Sequence, residues 1–299
     1  MSTIHPTAYV DSAAEIGIDV EIDAFCYVGP DVRLGDGCKL GPRVTLLGPA
    51  EFGPRNVFYS GAVLGAAPQD LKYKGGPTGL VAGAENIFRE LVTVHRGTEV
   101  DRQSHGVTQI GNHNLFMVGV HIAHDSELGD NIIIANGVQI AGHVRIEDRV
   151  TVGGVSAMHH FVTIGRSAYV GGMTRITHDV PPFMKVLGYD QTVRGVNVEG
   201  LRRWRIPAES IAKVKAAARL LYARRGEHSP LRTSEALRAI EADGLAHDEN
   251  VRYLVEFLRQ KLAVGIFGRV REHYRCDQDT DRESFYKCEQ AKNEAATCE

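Results

Sequence analysis

Five of the thirteen histidines in this 299-residue chain crowd into positions 121 to 160: His121, His124, His143, His159 and His160. Three chemistries could use such a set. An imidazole titrates near neutrality, so one of them could serve as general base toward a hydroxyl. His124 is followed by Asp125, a carboxylate that could orient the ring or stabilise its charged form. Gly142, eighteen residues beyond His124, offers an unobstructed backbone N–H to a developing oxyanion. Alternatively, three histidines could ligate zinc. They could also be hydrogen-bonded at a subunit interface and do no chemistry.

These residues form one site only if the chain brings them together, and a repeat supplies the means. Counting in sixes from Ile4, an apolar residue falls on every step through Leu64, eleven in succession, including Val28, Leu46 and Phe58. A second series runs from Ile110 through Phe116, Ile122, Leu128 and Ile140 to Ile176. A hexapeptide period is the signature of a parallel β-helix, in which each unit makes a short strand and a turn and the marked side chain points inward. Three hexads complete one coil, so residues eighteen apart lie one rung apart, about 4.8 Å. His124, Gly142 and His160 then share a column, and His143 is one residue off it.

The count falters between the two series, where Ala82, Phe88 and Val94 continue it weakly. Two loops are expected there, one over Ala67–Pro77 and one from His95 to Gln109, across which the phase shifts. Insertions into a solenoid project from one face, often the binding face. Asp179-Val180-Pro181-Pro182 ends the repeat, because proline cannot donate to the ladder. From Pro207 the apolar spacing becomes three and four, as in Ile211, Val214, Ala218 and Leu221, and helices are expected to cover the end of the solenoid. The chain therefore divides into a mainly β domain of hexapeptide repeats over 1–182, a connector over 183–206, an α-helical cap over 207–264 and a polar tail over 265–299 expected to be disordered.

The bulk composition excludes several classes. A net charge of −3 gives no electrostatic case for nucleic acid. No apolar run approaches the ~18 residues of a membrane span, and the N-terminus lacks the features of a secretory signal. Five cysteines (Cys26, Cys38, Cys276, Cys288 and Cys298) without such a signal favour reduced thiols and the cytoplasm. Cys26 and Cys38 are two hexads apart, on different faces of a coil, which opposes a bridge between them.

Six motifs occur in an order that resembles one family: Gln69-Asp70-Leu71-Lys72-Tyr73, His95-Arg96-Gly97-Thr98, His121-Ile122-Ala123-His124-Asp125, Ala141-Gly142-His143, Asp179-Val180-Pro181-Pro182, and Gly195-Val196-Asn197-Val198-Glu199-Gly200-Leu201. The chain is similar over about residues 1–262 to the acyl-ACP–UDP-N-acetylglucosamine O-acyltransferases, which begin lipid A synthesis (ACP, acyl carrier protein). The resemblance implies a left-handed coil, a homotrimer with sites in clefts between subunits, and no cofactor beyond acyl-ACP as donor. It implies His124 as catalytic base with Asp125 as partner and Gly142 as oxyanion donor. Asp70 matches a contact to the sugar acceptor, and Lys72, His121, His143 and His159 match other cleft residues. Asn197, Glu199 and Arg203 match positions near the nucleotide, and Gly172 matches a position that gauges acyl-chain length. This chain has His160 where glutamine is frequent, Trp204 where a second arginine is usual and Asp190 where histidine is common, and its segment 83–86 and its tail beyond 262 depart from the pattern.

The expected reaction moves a (3-hydroxy)acyl chain from ACP to the 3-hydroxyl of UDP-GlcNAc. One alternative acceptor is a 3-amino sugar nucleotide, giving an amide. A zinc hydratase resembling γ-carbonic anhydrase is a third reading, but its ligand histidines are separated by four residues, whereas two separate His121 from His124. No metal is therefore expected.

Overall fold

The computed structural model describes residues 2–99, 104–222 and 232–275. Two-residue strands recur every six positions, each with an outward first residue and an inward second one, as in Glu21–Ile22, Lys39–Leu40 and Gln139–Ile140. Each strand pairs in parallel with the strand one coil on, Ile4 with Ile22, Val10 with Val28 and Ile16 with Leu34. The strands stack into three faces of eleven, nine and eight strands, parallel except for the last pair of the first face. The architecture is a left-handed parallel β-helix with a C-terminal α-helical cap.

The interior is filled by the marked hexad residues together with a second inward position two residues earlier, where Val20, Val44, Val120, Val138 and Val150 are wholly buried. This second set is small and β-branched, which suits the narrow corner between faces. Ile4 is an exception to the marked series, 46 % exposed, because it belongs to the first coil and has no rung beneath it. Cys26 and Cys38 are buried free thiols on different faces. Cys276, Cys288 and Cys298 lie outside the described residues.

Both interruptions of the count are insertions. Phe58 pairs with Phe88 and Leu64 with Val94, thirty residues apart in place of eighteen, and Phe88 pairs with Phe116, twenty-eight apart. The core register survives both, since Ala82, Phe88 and Val94 are buried. The second insertion is shorter than the sequence suggested. His95 still belongs to the strand Thr93–His95, and Val107–Ile110 is already a strand paired with Gly79–Ala82.

After the prolines, Met184–Leu187 joins the eleven-stranded face and pairs antiparallel with Thr192–Val196, so the stretch expected as a connector is a hairpin that closes the solenoid. Helix α1 spans Val198–Arg203, α2 Ala208–Tyr222, α3 Thr233–Ala242 and α4 Glu249–Val264. Their apolar faces (Ile211, Val214, Leu221, Ile240, Leu254 and Leu258) bury Phe183 and Met184 from the hairpin side in a second core. Part of the predicted disordered tail is ordered. Residues 265–275 fold back on the last coils, with Arg269, Arg271 and Glu272 buried and a short 3-10 helix over Arg271–Tyr274. The sequence misled here because charged residues were read as solvated, whereas these pair with one another and with the coil: Arg269 bonds Glu272 at 3.0 Å and Arg271 bonds Glu127 at 2.9 Å.

Candidate active site

His124 stands on the turn after the strand His121–Ile122, at the corner between two faces. Its Nδ1 lies 2.8 Å from Asp125 Oδ2. Asp125 is fully buried, and three donors converge on its carboxylate: the Thr98 N–H at 2.8 Å, the Thr98 hydroxyl at 2.7 Å and the Ser104 hydroxyl at 2.6 Å. Its own N–H donates to the Thr108 hydroxyl at 2.8 Å. Because the carboxylate acts as acceptor throughout, the network assigns the donating role to Nδ1 of His124 and leaves Nε2 as the basic nitrogen. Thr98 and Ser104 both come from the second insertion, so that loop holds the partner of the base.

The first insertion supplies the opposite side of the ring. Asp70 Oδ2 lies 3.6 Å from His124 Nε2, beyond hydrogen-bond range, and 3.1 Å from the Lys72 ammonium. Burial acts to raise the Asp70 pKa, but the Lys72 amide and ammonium, helped by His124, outweigh it and hold the carboxyl below its ordinary value. Lys72 is itself buried.

Gly142 lies under the His124 ring. A β-carbon built there would stand 2.5 Å from Cε1 and 2.7 Å from Nε2, so any side chain would displace the imidazole. The ladder uses the amides on either side, Ala141 to Met158 and His143 to His124, and among the described residues no acceptor takes the Gly142 N–H. His143 meets the His124 ring edge-on at 5.0 Å and stacks on Phe161 at 4.4 Å.

A cavity of about 310 Å³ opens here, lined among others by Asp70, Lys72, His124, Gly142, His143 and His160. Six of the predicted residues thus converge. The others do not line it. His121 bonds Thr93 at 2.8 Å and packs on His95, and His159 lies against His160. Burial lowers the pKa of His121, and takes His95 to about 4 with help from His121, His124 and Arg96. His160 is also lowered to about 4, by burial and then by His159. Asn197 caps α1 through the Gly200 N–H, and Glu199 pairs with Arg203 on that exposed helix. Gly172 is exposed on a turn over Gly154, away from the cavity. Sequence reasoning gave no role to Ser104, Thr108, Phe161 or Arg275. Only Thr98 carried a signal, through its motif.

Asp70, His124 and His143 also place ligand atoms within 4.8 Å of one another, a conceivable metal set. The Lys72 ammonium already neutralises the carboxylate, and His124 Nδ1 is committed to Asp125, so a divalent cation here would face a buried positive charge. The donor set fits a proton-transfer site better than a metal centre.

The geometry agrees with what the chain is similar to. The family model for UDP N-acetylglucosamine O-acyltransferase, domain 2, matches residues 179–266, and the bacterial transferase hexapeptide model matches 13–48 and 108–142. The acyl-ACP–UDP-N-acetylglucosamine O-acyltransferase of Paraburkholderia phymatum is 46 % identical over 263 residues, covering 87 % of this chain and 97 % of that protein. This chain belongs to the acyl-ACP–UDP-N-acetylglucosamine O-acyltransferase family. The same-named enzyme of Halorhodospira halophila is 46 % identical over 86 % of this chain and 96 % of its own length. Among solved structures, LpxA from Acinetobacter baumannii superposes with a TM-score of 0.80 at 38 % identity, covering 86 % of this chain and 96 % of the other. The UDP-N-acetylglucosamine acyltransferase of Bacteroides fragilis gives 0.80 at 36 % identity, covering 86 % and 97 %.

Proposed function

We propose that this acyltransferase moves an acyl chain from ACP to the 3-hydroxyl of UDP-GlcNAc, the first step of lipid A synthesis, with His124 as the general base. The observation that carries the assignment of roles is the buried clamp of His124 Nδ1 by Asp125 at 2.8 Å, which leaves Nε2 facing a cavity. His124 Nε2 takes the hydroxyl proton as the sugar oxygen attacks the thioester carbonyl carbon. Negative charge gathers on the carbonyl oxygen, within the reach of the Gly142 N–H. The C–S bond then breaks, and the proton on His124 passes to the departing thiolate. Asp70 accepts from a sugar hydroxyl and stabilises the imidazolium formed in the first half of the reaction. Among the described residues no cysteine lines the cavity, so direct transfer without an acyl-enzyme fits that lining.

The proposal takes a homotrimer acting in the cytoplasm. Its support is the family and the absence, among the described residues, of any helix long and apolar enough to cross a membrane. Asn197, Glu199 and Arg203 would then serve the nucleotide from a neighbouring protomer, and Gly172 would border the acyl groove. The test is mass spectrometry of products from acyl-ACP mixed separately with UDP-GlcNAc and its 3-amino analogue. An acyl ester on UDP-GlcNAc is expected. Amide formation with the analogue alone would transfer the assignment to the amino-sugar reading.

A further inference from the structure

We propose that Thr98 is a positioning residue of the reaction, acting through Asp125 on the tautomer and orientation of His124. This role rests on the acyltransferase reading and deepens it. It also gives the stretch His95-Arg96-Gly97-Thr98 a task that its place in the coil does not explain.

A carboxyl group turns about its last bond with little preference, so a single hydrogen bond does not decide which oxygen faces a neighbour. Thr98 makes two bonds to Asp125, one to each oxygen. Its N–H donates to Oδ1 at 2.8 Å and its hydroxyl to Oδ2 at 2.7 Å. Oδ2 is also the oxygen that His124 Nδ1 meets at 2.8 Å. The Ser104 hydroxyl reaches Oδ1 only, at 2.6 Å, so it cannot set the rotation by itself. Thr98 and Asp125 are both wholly buried, and hydrogen bonds to a carboxylate are strongest away from water. A hydroxyl that donates to Oδ2 keeps that oxygen an acceptor toward the ring, which holds the proton on Nδ1 and the lone pair on Nε2.

The surrounding chain is built to hold Thr98 still. Arg96 ties the stretch to two lower rungs, its Nη1 donating to the carbonyls of Gly48 and Gly65 at 2.6 and 2.8 Å. The Gly97 N–H donates to the Gly79 carbonyl at 3.1 Å. A β-carbon on Gly97 would stand 2.3 Å from the Gly106 backbone, so glycine is what lets the two ends of the second insertion approach this closely. From the other side, the Asp125 N–H donates to the Thr108 hydroxyl at 2.8 Å. Thr98 itself does not line the cavity, so its influence on a substrate has to pass through Asp125 and the ring.

The test uses the full-length protein in three forms. Thr98→Val keeps the volume and removes the hydroxyl, Thr98→Ala removes both, and Thr98→Ser keeps the hydroxyl. Steady-state kinetics are measured with UDP-GlcNAc and acyl-ACP varied in turn, and Thr98→Val is repeated in an Asp125→Asn background. Valine and alanine should each lower kcat about tenfold with both KM values within about threefold, because a hydrogen bond to a charged group is lost outside the cavity. Serine should keep kcat within about threefold of the parent. In the Asp125→Asn background, Thr98→Val should lower kcat further by less than about twofold, since both substitutions break one unit. A kcat within about threefold of the parent in both the valine and the alanine variants would overturn the role. So would an equal loss in serine, which points to packing, or an undiminished loss in the Asp125→Asn background, which separates Thr98 from Asp125. If the parent protein makes no acylated sugar nucleotide, the acyltransferase reading fails and this role with it, whereas unchanged variants beside an active parent defeat the role of Thr98 alone.

Discussion

A β-carbon on Gly142 would collide with the His124 ring at 2.5 Å, whereas removing the imidazole leaves the backbone of both turns untouched. The two substitutions therefore separate position from chemistry. His124→Ala should lower kcat by about 10² to 10⁴-fold, the ordinary worth of a general base, with the fold retained because Asp125 keeps its Thr98 and Ser104 donors. Gly142→Ala should lower kcat comparably, because the ring must leave its place between Asp125 and the cavity, although its own backbone angles are permitted to alanine. Activity within threefold of the parent in His124→Ala, at saturating substrate, would remove His124 from the mechanism, and the same result in Gly142→Ala would show that the ring can shift without loss. The buried histidines carry a second expectation, on stability. His95 and His160 are held to about 4 in the folded chain, while an unfolded histidine titrates near 6.5. Below about 6.5 the unfolded chain binds more protons, so the stability they contribute is present above that pH and lost as pH falls toward 4. Asp179 opposes them: burial raises it to about 6, so its contribution is present below its unfolded value and lost as pH rises through 6. Two histidines should outweigh one carboxyl. The thermal midpoint should climb between pH 4.5 and 7, more steeply in Asp179→Asn and less steeply in His95→Gln. A flat or falling curve for the parent protein would show that these groups are not neutral when buried.

The coil was legible in the sequence because one residue in six must point inward, and a register that repeats without slipping leaves a pattern that turns do not blur. The insertions were legible as breaks in that count. What they do was not, because the clamp on Asp125 joins Thr98 and Ser104 to a residue twenty-seven and twenty-one positions away, and nothing local marks such a pairing. Another feature of the coil escaped the hexad count for a different reason. Asn56, Asn86 and Asn114 sit at inward corner positions where valine is frequent elsewhere, and all three are buried. They form a ladder. The Asn86 N–H donates to Asn56 Oδ1 at 2.8 Å, and the Asn114 N–H donates to Asn86 Oδ1 at 3.0 Å. The Asn86 side-chain amide meanwhile reaches the Gly83 and Gly111 carbonyls at 3.1 and 3.0 Å. The ladder spans the coils lengthened by both insertions, where the turns no longer have six-residue spacing. Asn86→Leu should leave two buried backbone groups without partners, the Asn114 N–H and the Gly111 carbonyl, since the Gly83 carbonyl still accepts from the Asn56 amide at 2.8 Å. It should destabilise the fold by about 2 kcal/mol or more, at about 1–3 kcal/mol per orphaned group with partial relaxation. Denaturant unfolding measures it, and a loss below about 1 kcal/mol would show that these groups find other partners. Phe88→Ala, which opens the stack Phe58–Phe88–Phe116 with ring centres 5.1 and 5.2 Å apart, is expected to cost about 3–5 kcal/mol as a pure cavity and provides the apolar comparison.

The assembled chain explains why some expected residues stand apart from His124. The cavity at the histidine column, about 310 Å³, is at the low end of the roughly 300–1,000 Å³ typical of small-molecule sites, and its lining contains none of Asn197, Glu199 and Arg203. Glu199 and Arg203 lie on the exposed face of α1, beyond the closing hairpin. The polar strap at 265–275 was illegible for a related reason, since its charges are satisfied by partners far away in sequence, such as Arg271 by Glu127. If protomers close the site for one another, two defects placed in different chains can cancel. On the proposed roles, His124→Ala removes the base and Arg203→Ala removes the nucleotide contact, so each variant by itself should be impaired. Mixed, unfolded and reassembled at equal amounts, they should form clefts in which the base and the arginine come from intact halves. For a closed ring with one cleft per neighbouring pair, about a quarter of the clefts would be whole, since each half is intact with even odds. Activity returning to about a quarter of the parent level, and only after reassembly, is the expected result. Activity that stays at the mean of the two variants would place His124 and Arg203 in the service of one chain, and the lone protomer would then have to close over its substrate by itself.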